Sequence, residues 1–308
     1  MEYIGLHSQI SSNNRKSILL LIAFPALILL AVYTFLFFSF NHDIYETNQS
    51  FLKIAPATLI AIGIWFIIAY FLEASIIKAS TSSRTLERNE NFRVYNLTEN
   101  LCMSVGMKMP KLYVIDSPSL NAFASGLDQK SFSVTLTTGI IAELNDQELE
   151  GVIAHELTHI RNKDVRLLVV SIIFVGIFGF IVEILFRSLF HGGRGNKREK
   201  SDGKLIIIAL VIGIAVYFLS ILFKFALSRK REYLADAGAV ELTKNAEALA
   251  SALRKISGNS NLDTKSEDIK QSFIENSPEN SKSLFSLGGL FSTHPPIKSR
   301  IEILEKGL

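Results

Sequence analysis

Four apolar runs punctuate an otherwise polar chain. Residues 17–40 carry no charge and are long enough to cross a bilayer. This run is longer than the ~7–15 residues of a signal-peptide core, and no small-x-small cleavage pattern follows it. Residues 54–77 form a second run with a single charge, Glu73, about one turn from its end, where a long side chain reaches the interface. Runs at 165–186 and 205–227 follow, with Glu183 and Lys224 near their ends. The pattern predicts four transmembrane helices, a short acidic loop at 41–53, and one soluble unit split by the second apolar pair.

The soluble stretches show shorter periods. Between 86 and 107 the apolar residues Val94, Leu97, Leu101 and Val105 recur at helical spacing, and Gly106 near Pro110 marks the end. Residues 111–115 and 132–136 read as strands from their β-branched content, with Asn121-Ala122-Phe123-Ala124-Ser125-Gly126 between them. Asn145 and Glu148 have the residue types of a capping box and open a helix. After the last run, helices are expected at about 229–243 and 245–256. A polar stretch at 257–283 and a terminal helix starting at Pro296 complete the chain. The expected organisation is 1–80, a transmembrane pair; 81–164, the first soluble segment; 165–227, a second transmembrane hairpin; and 228–308, the second soluble segment.

Composition agrees with the hydropathy pattern. Hydrophobic residues make up 48% of the 308 and the mean hydropathy is +0.30, too apolar for an ordinary soluble chain. A net charge of +3 supplies no global basic field, which argues against a nucleic-acid partner. Cys102 is the sole cysteine, which excludes a disulfide framework and any Cys-based zinc site.

The basic residues sit beside the apolar runs. Arg15 and Lys16 precede the first, and Lys78, Arg84, Arg88 and Arg93 follow the second, placing the N-terminus and the 81–164 segment in the cytoplasm. The 187–204 loop, with six Lys/Arg and two acids, would also prefer the cytoplasm. A site shared by the two soluble segments nevertheless needs an even number of crossings between them. Placing both inside puts most of the Lys/Arg near span ends on the cytoplasmic side. Four spans with both termini cytoplasmic are therefore expected, with a non-spanning hairpin at 165–227 as the alternative.

The chemistry concentrates in Gly151-Val152-Ile153-Ala154-His155-Glu156-Leu157-Thr158-His159-Ile160. Helix positions four apart share a face, so His155 and His159 can present two imidazoles to one cation while Glu156 stands beside them as a base. A catalytic zinc keeps three protein ligands, so a third is needed. The candidate is Glu232, in Arg231-Glu232-Tyr233-Leu234-Ala235-Asp236. Asp236 lies four residues on, where a second carboxylate can orient a ligating imidazole. The small residues Ala235, Gly238 and Ala239 would let this helix approach another closely.

The His155-Glu156-Leu157-Thr158-His159 motif, Glu232-x-x-x-Asp236 and the hydrophobic pair between them resemble the HtpX family of membrane zinc metallopeptidases, relatives of the CAAX prenyl peptidase Ste24. The likeness runs from the first span to the terminal helix. Asn121 in Asn-Ala-Phe-Ala, Asn162 and Asp164 after the second histidine, and His294-Pro295-Pro296 with Arg300 extend it. It implies that His155, His159 and Glu232 ligate one zinc per chain, with Glu156 as catalytic base and Asp236 behind the ligands. It further implies that Asn121, Ala122 and Phe123 lie on a substrate-binding edge strand, and that His294 and Arg300 support substrate or the oxyanion.

The implied fold is a mainly α integral membrane protein, with four transmembrane helices and a cytoplasmic α+β zincin-like (gluzincin) domain holding a small β-sheet. The implied activity is that of a zinc endopeptidase of the bacterial inner membrane, facing the cytoplasm, acting in stress response and quality control. Its partners would be the lipid bilayer and misfolded or damaged membrane proteins or unfolded polypeptides. Two alternatives stand beside it. One is a Ste24-type prenyl-protein peptidase, against which four rather than seven spans speak; the other is a non-enzymatic membrane scaffold, against which an intact Glu156 speaks.

Overall fold

The computed structural model describes residues 6–170, 207–215, 217, 229–257 and 296–306. The rest of the two later apolar runs, the 187–204 loop, residues 258–283 and His294 lie outside the described residues. The chain divides into two compact units, one built on Arg15–Phe71 and Val170–Lys224, the other on Met1–Asn14, Leu72–Val169 and Phe225–Leu308.

Helix α1 (Leu6–Ser39) leads into α2 (Ile44–Thr81), and residues 15–39 and 44–71 of them belong to the first unit. Within them Leu21–Ser39 and Ile44–Leu72 are long and apolar enough to cross a membrane. Along α2 the side chains of Ile60, Ile64, Ile67 and Phe71 are exposed, an apolar surface that lipid covers at no cost and water would not. The loop expected at 41–53 shrinks to a turn, because Asp43 Oδ1 accepts hydrogen bonds from the Tyr45 and Glu46 amides at 2.8 and 3.0 Å and so starts the helix. Hydropathy reports where a helix becomes apolar, whereas the cap decides where it begins.

The second unit contains a four-stranded sheet in the order β1-β2-β4-β3, where β1 is Arg84–Thr85, β2 Lys111–Ile115, β3 Ala122–Ser125 and β4 Ser133–Thr137. Strands β2 and β4 run parallel from Lys111↔Ser133 to Ile115↔Thr137. Strand β3 returns as an antiparallel hairpin on β4, from Ala122↔Leu136 to Ser125↔Ser133, and ends the sheet. Gly126, at φ +117, makes the hairpin possible: a Cβ there would lie 2.6 Å from the Phe132 Cα.

The helix read from 86–107 is shorter. Strand β1 takes the chain onto the sheet and the Leu86 amide donates to Leu112 O at 3.0 Å, so α3 (Phe92–Ser104) begins only where Asn91 caps the Val94 amide. A short α4 (Thr138–Glu143) then leads to α5 (Asp146–Arg161). Arg93 of α3 holds this junction, donating to Ile141 O and Leu144 O at 2.8 and 2.6 Å and pairing with Asp146. These bonds satisfy carbonyls that the end of α4 leaves without helical partners.

Helix α5 is the central element. Its capping box is complete: Asn145 Oδ1 accepts from the Glu148 amide at 3.0 Å and Glu148 Oε2 accepts from the Asn145 amide at 2.9 Å. Leu149, Val152, Ile153 and Leu157 are almost wholly buried, so the helix is enclosed rather than amphipathic. It packs against α3, β3, α6 (Arg229–Thr243) and α7 (Ala246–Ile256). The last helix, α8 (Ile297–Glu305), starts after Pro296 and lies on α7 and α6.

Candidate metal centre

Residues from α5 and α6 meet at one point. Nε2 of His155 and Nε2 of His159 lie 3.2 Å apart. Glu232 straddles them, Oε2 at 3.6 Å from His155 Nε2 and Oε1 at 3.5 Å from His159 Nε2. These three residues form a group that could hold a metal ion. Four-residue spacing places the two histidines on one face of α5, and the close crossing of α6 brings in the carboxylate.

Behind each imidazole stands another carboxylate. Asp164 Oδ2 lies 3.1 Å from His159 Nδ1. Asp236 Oδ1 lies 3.0 Å from His155 Nδ1, a close ion-pair contact whose alignment falls short of a hydrogen bond. Each carboxylate faces the Nδ1 edge of its imidazole, and the Nε2 atoms lie on the opposite edge, towards the common point. Asp236 is in turn clamped by Arg300 of α8, whose Nε donates to Oδ2 at 2.8 Å and whose Nη2 donates to Oδ1 at 2.7 Å.

Two observations show that these residues fit zinc. Zn–N and Zn–O bonds of about 2.0–2.2 Å in a tetrahedral shell put neighbouring ligand atoms roughly 3.3–3.5 Å apart, close to the separations seen here. The site also attracts positive charge. Burial by itself would lower the pKa of His155, yet the Asp236 and Glu232 carboxylates carry it up to about 9. Burial likewise opposes ionisation of Asp236, but Arg300 and then His155 hold its pKa at about 2. Nitrogen and oxygen donors without sulfur, converging in a buried pocket of negative potential, suit zinc.

The remaining residues singled out by sequence fall in different places. Glu156 is buried on α5 next to His155. Ala122 and Phe123 lie on β3, and Asn121 just before it; all three are buried. Asn121 is held in the sheet, its amide donating to Thr137 Oγ1 at 3.1 Å and its Oδ1 accepting from the Ala122 amide at 2.9 Å. Arg300, 1% exposed, lies against Asp236 and Glu232.

Sequence reading left two partnerships unassigned. Asp164, which the sequence marks only as following the second histidine, reaches His159 because Lys163 adopts φ 59° and turns the chain back at the end of α5. The Arg300–Asp236 clamp joins positions 64 apart, with no local pattern to announce it. The one available signal was a buried carboxylate that needed a cation.

Comparison with known proteins agrees with this geometry. The model of peptidase family M48 matches residues 88–307. A protease HtpX homolog of Bacteroides fragilis is 50% identical over 321 aligned residues, covering 99% of this chain and 100% of that protein. A protease HtpX homolog of Listeria monocytogenes is 34% identical, covering 97% and 99%. Among solved structures, the crystal structure of S. mikatae Ste24p shares the fold with a TM-score of 0.50 at 21% identity, over 96% of this chain and 66% of that one. The family match takes in α5 and α6 alike, and the likeness to relatives runs the length of the chain; the chain belongs to peptidase family M48 and is a membrane zinc metalloprotease.

Proposed function

We propose that His155, His159 and Glu232 hold one zinc ion and that Glu156 is the general base of a peptide-bond hydrolysis. The observation that carries this is the convergence of the three donor groups at 3.2–3.6 Å on the face of α5 beside Glu156. Zinc held there supplies a Lewis acid that polarises a peptide carbonyl and brings the pKa of water from ~15.7 towards ~7. The Glu156 carboxylate takes a proton from the attacking water and returns it to the nitrogen of the leaving amine. Asp236 and Asp164 keep the two imidazoles in the tautomer and orientation that present Nε2.

Substrate binding is assigned to β3, the end strand of the sheet, where the main chain at Asn121, Ala122 and Phe123 pairs with an extended peptide. All four residues of β3 are buried, so such pairing requires what covers that edge to move aside. His294 is assigned to the oxyanion on the resemblance alone. The substrates are misfolded or damaged membrane proteins of the bacterial inner membrane. Four spans place both soluble segments in the cytoplasm, and the first apolar residue of the third run, Val165, follows the end of α5 at Arg161 closely in sequence. The likeness to Ste24p is one of fold, and among the described residues of the site nothing favours a prenylated substrate.

The test is Glu156→Gln in purified full-length protein. The variant is expected to retain one zinc per chain and to lose casein cleavage by roughly 10²-fold or more. Chelation is expected to abolish wild-type cleavage and added zinc to restore it. Full activity in the zinc-loaded variant would remove Glu156 from the role of base.

A further inference from the structure

Arg300 has an environment unlike that of a substrate-binding cation. It is 1% exposed, and its planar guanidinium forks onto both oxygens of Asp236 while Nη1 lies 3.5 Å from Glu232 Oε2. All three of its nitrogens therefore face the two buried carboxylates of α6, Glu232 and Asp236. A substrate carbonyl could recruit it only by breaking a buried bidentate ion pair, which is costly.

Asp236 Oδ1 is shared: it accepts from Arg300 Nη2 at 2.7 Å and lies 3.0 Å from His155 Nδ1. Glu232 and Asp236 are buried acids one turn apart on α6, and they would repel each other without a cation between them and the protein interior. Arginine suits this place because a flat, five-donor group can hold one carboxylate with two prongs and still face a second.

We propose that Arg300 is a positioning residue of the metal centre: by fixing Asp236 it fixes the ring of His155, so that α8 docking and zinc binding are thermodynamically linked. The inference rests on the reading that His155, His159 and Glu232 hold the metal. Linkage works in both directions. Undocking α8 weakens zinc binding, and removing zinc loosens α8.

The experiment measures zinc affinity by competition with a chromophoric chelator in full-length, detergent-solubilised protein. Arg300→Gln and Arg300→Lys are each expected to weaken zinc roughly 10- to 100-fold, while KM at saturating zinc stays at the wild-type value. Arg300→Gln combined with Asp236→Asn is expected to be no worse than the weaker single variant, since both break one chain of contacts. Cobalt-substituted protein gives a second readout, its visible spectrum shifting in the Arg300 variants.

Arg88→Gln serves as the control, because it removes an exposed ion pair with Glu99 that involves neither α8 nor the metal centre. It is expected to keep zinc affinity within about twofold. Hydrogen exchange across 297–305 is expected to quicken when zinc is chelated. If both Arg300 variants keep wild-type zinc affinity and raise KM, Arg300 is a substrate contact and the proposal falls. Should the Gln variant not fold, the Lys variant decides by the same comparison. Undiminished zinc affinity in Glu232→Ala would instead overturn the ligand assignment itself, a result separable from the first.

Discussion

Gly238 of α6 lies against Thr158 of α5 so closely that a Cβ at 238 would stand 2.4 Å from Thr158 Cγ2 and 2.9 Å from its Oγ1. Thr158 belongs to the same helical turn as His155 and His159, and Gly238 lies fewer than two turns beyond Glu232. The contact therefore sets how near Glu232 comes to the two histidines. Gly238→Ala is expected to cost roughly 1–3 kcal/mol in stability and to weaken zinc binding measurably. Adding Thr158→Ala should restore both, as it removes the clashing atoms. A Gly238→Ala protein that binds zinc like the wild type would show that the crossing has slack.

Asp164 is the carboxylate behind His159, at 3.1 Å from Nδ1. Asp164→Asn is expected to lower zinc affinity by roughly tenfold or more while Tm in excess zinc changes little. Chelator competition and thermal unfolding of the same preparation check this. Unaltered affinity would reduce Asp164 to a capping residue at the end of α5.

Glu148 ties the start of α5 to α7, accepting from Ser251 Oγ and Lys255 Nζ, each at 2.7 Å, besides closing the capping box. Burial alone would raise its pKa, but Lys255, Ser251 and the Asn145 amide outweigh burial and hold it below the ordinary 4.5. Folding thus favours the ionised form. The contribution is complete above pH 4.5 and is lost as pH falls through the lower folded value. Glu148→Gln should be less stable than wild type at pH 7 by roughly 1–3 kcal/mol, with the gap closing in acid. A gap that does not narrow as the pH is lowered below 4.5 to the point of acid unfolding would contradict the assignment.

The topology is open to cysteine labelling because the native thiol is quiet. Cys102 is buried, and burial pushes its pKa up to about 11. Cysteines introduced at Asn48 and Arg194 are both expected to react with an impermeant reagent from outside the cell. Reaction at 194 from the cytoplasmic face alone would replace the second pair of crossings with a non-spanning hairpin.

Local chemistry was read correctly where it is local. The Asn145–Glu148 capping box, the helix expected at about 245–256 and the strand at 111–115 depend on neighbours within a few residues and appear where the sequence places them. The readings that failed had a longer-range cause or a finer one. The helix expected from residue 86 starts only at Phe92, because the Leu86 amide finds a partner at Leu112 and a turn follows before Asn91 caps the helix. The loop expected to 53 gives way to helix because one side chain, Asp43, caps it early.

By itself the sequence put the pair of imidazoles on one helical face with Glu156 beside them and offered Glu232 as the candidate for a third ligand, since helical periodicity and zinc's preference for nitrogen and oxygen donors can be read without the fold. Only the tertiary structure decided which further residues close in around these side chains. Asp164 turns back on His159 through a left-handed residue at 163, Gly238 lets α6 close on α5, and Arg300 arrives from the last helix to hold Asp236. Such contacts join positions whose spacing in the chain carries no periodic signal. They exist because buried charges must find partners, and folding alone determines which partners are within reach.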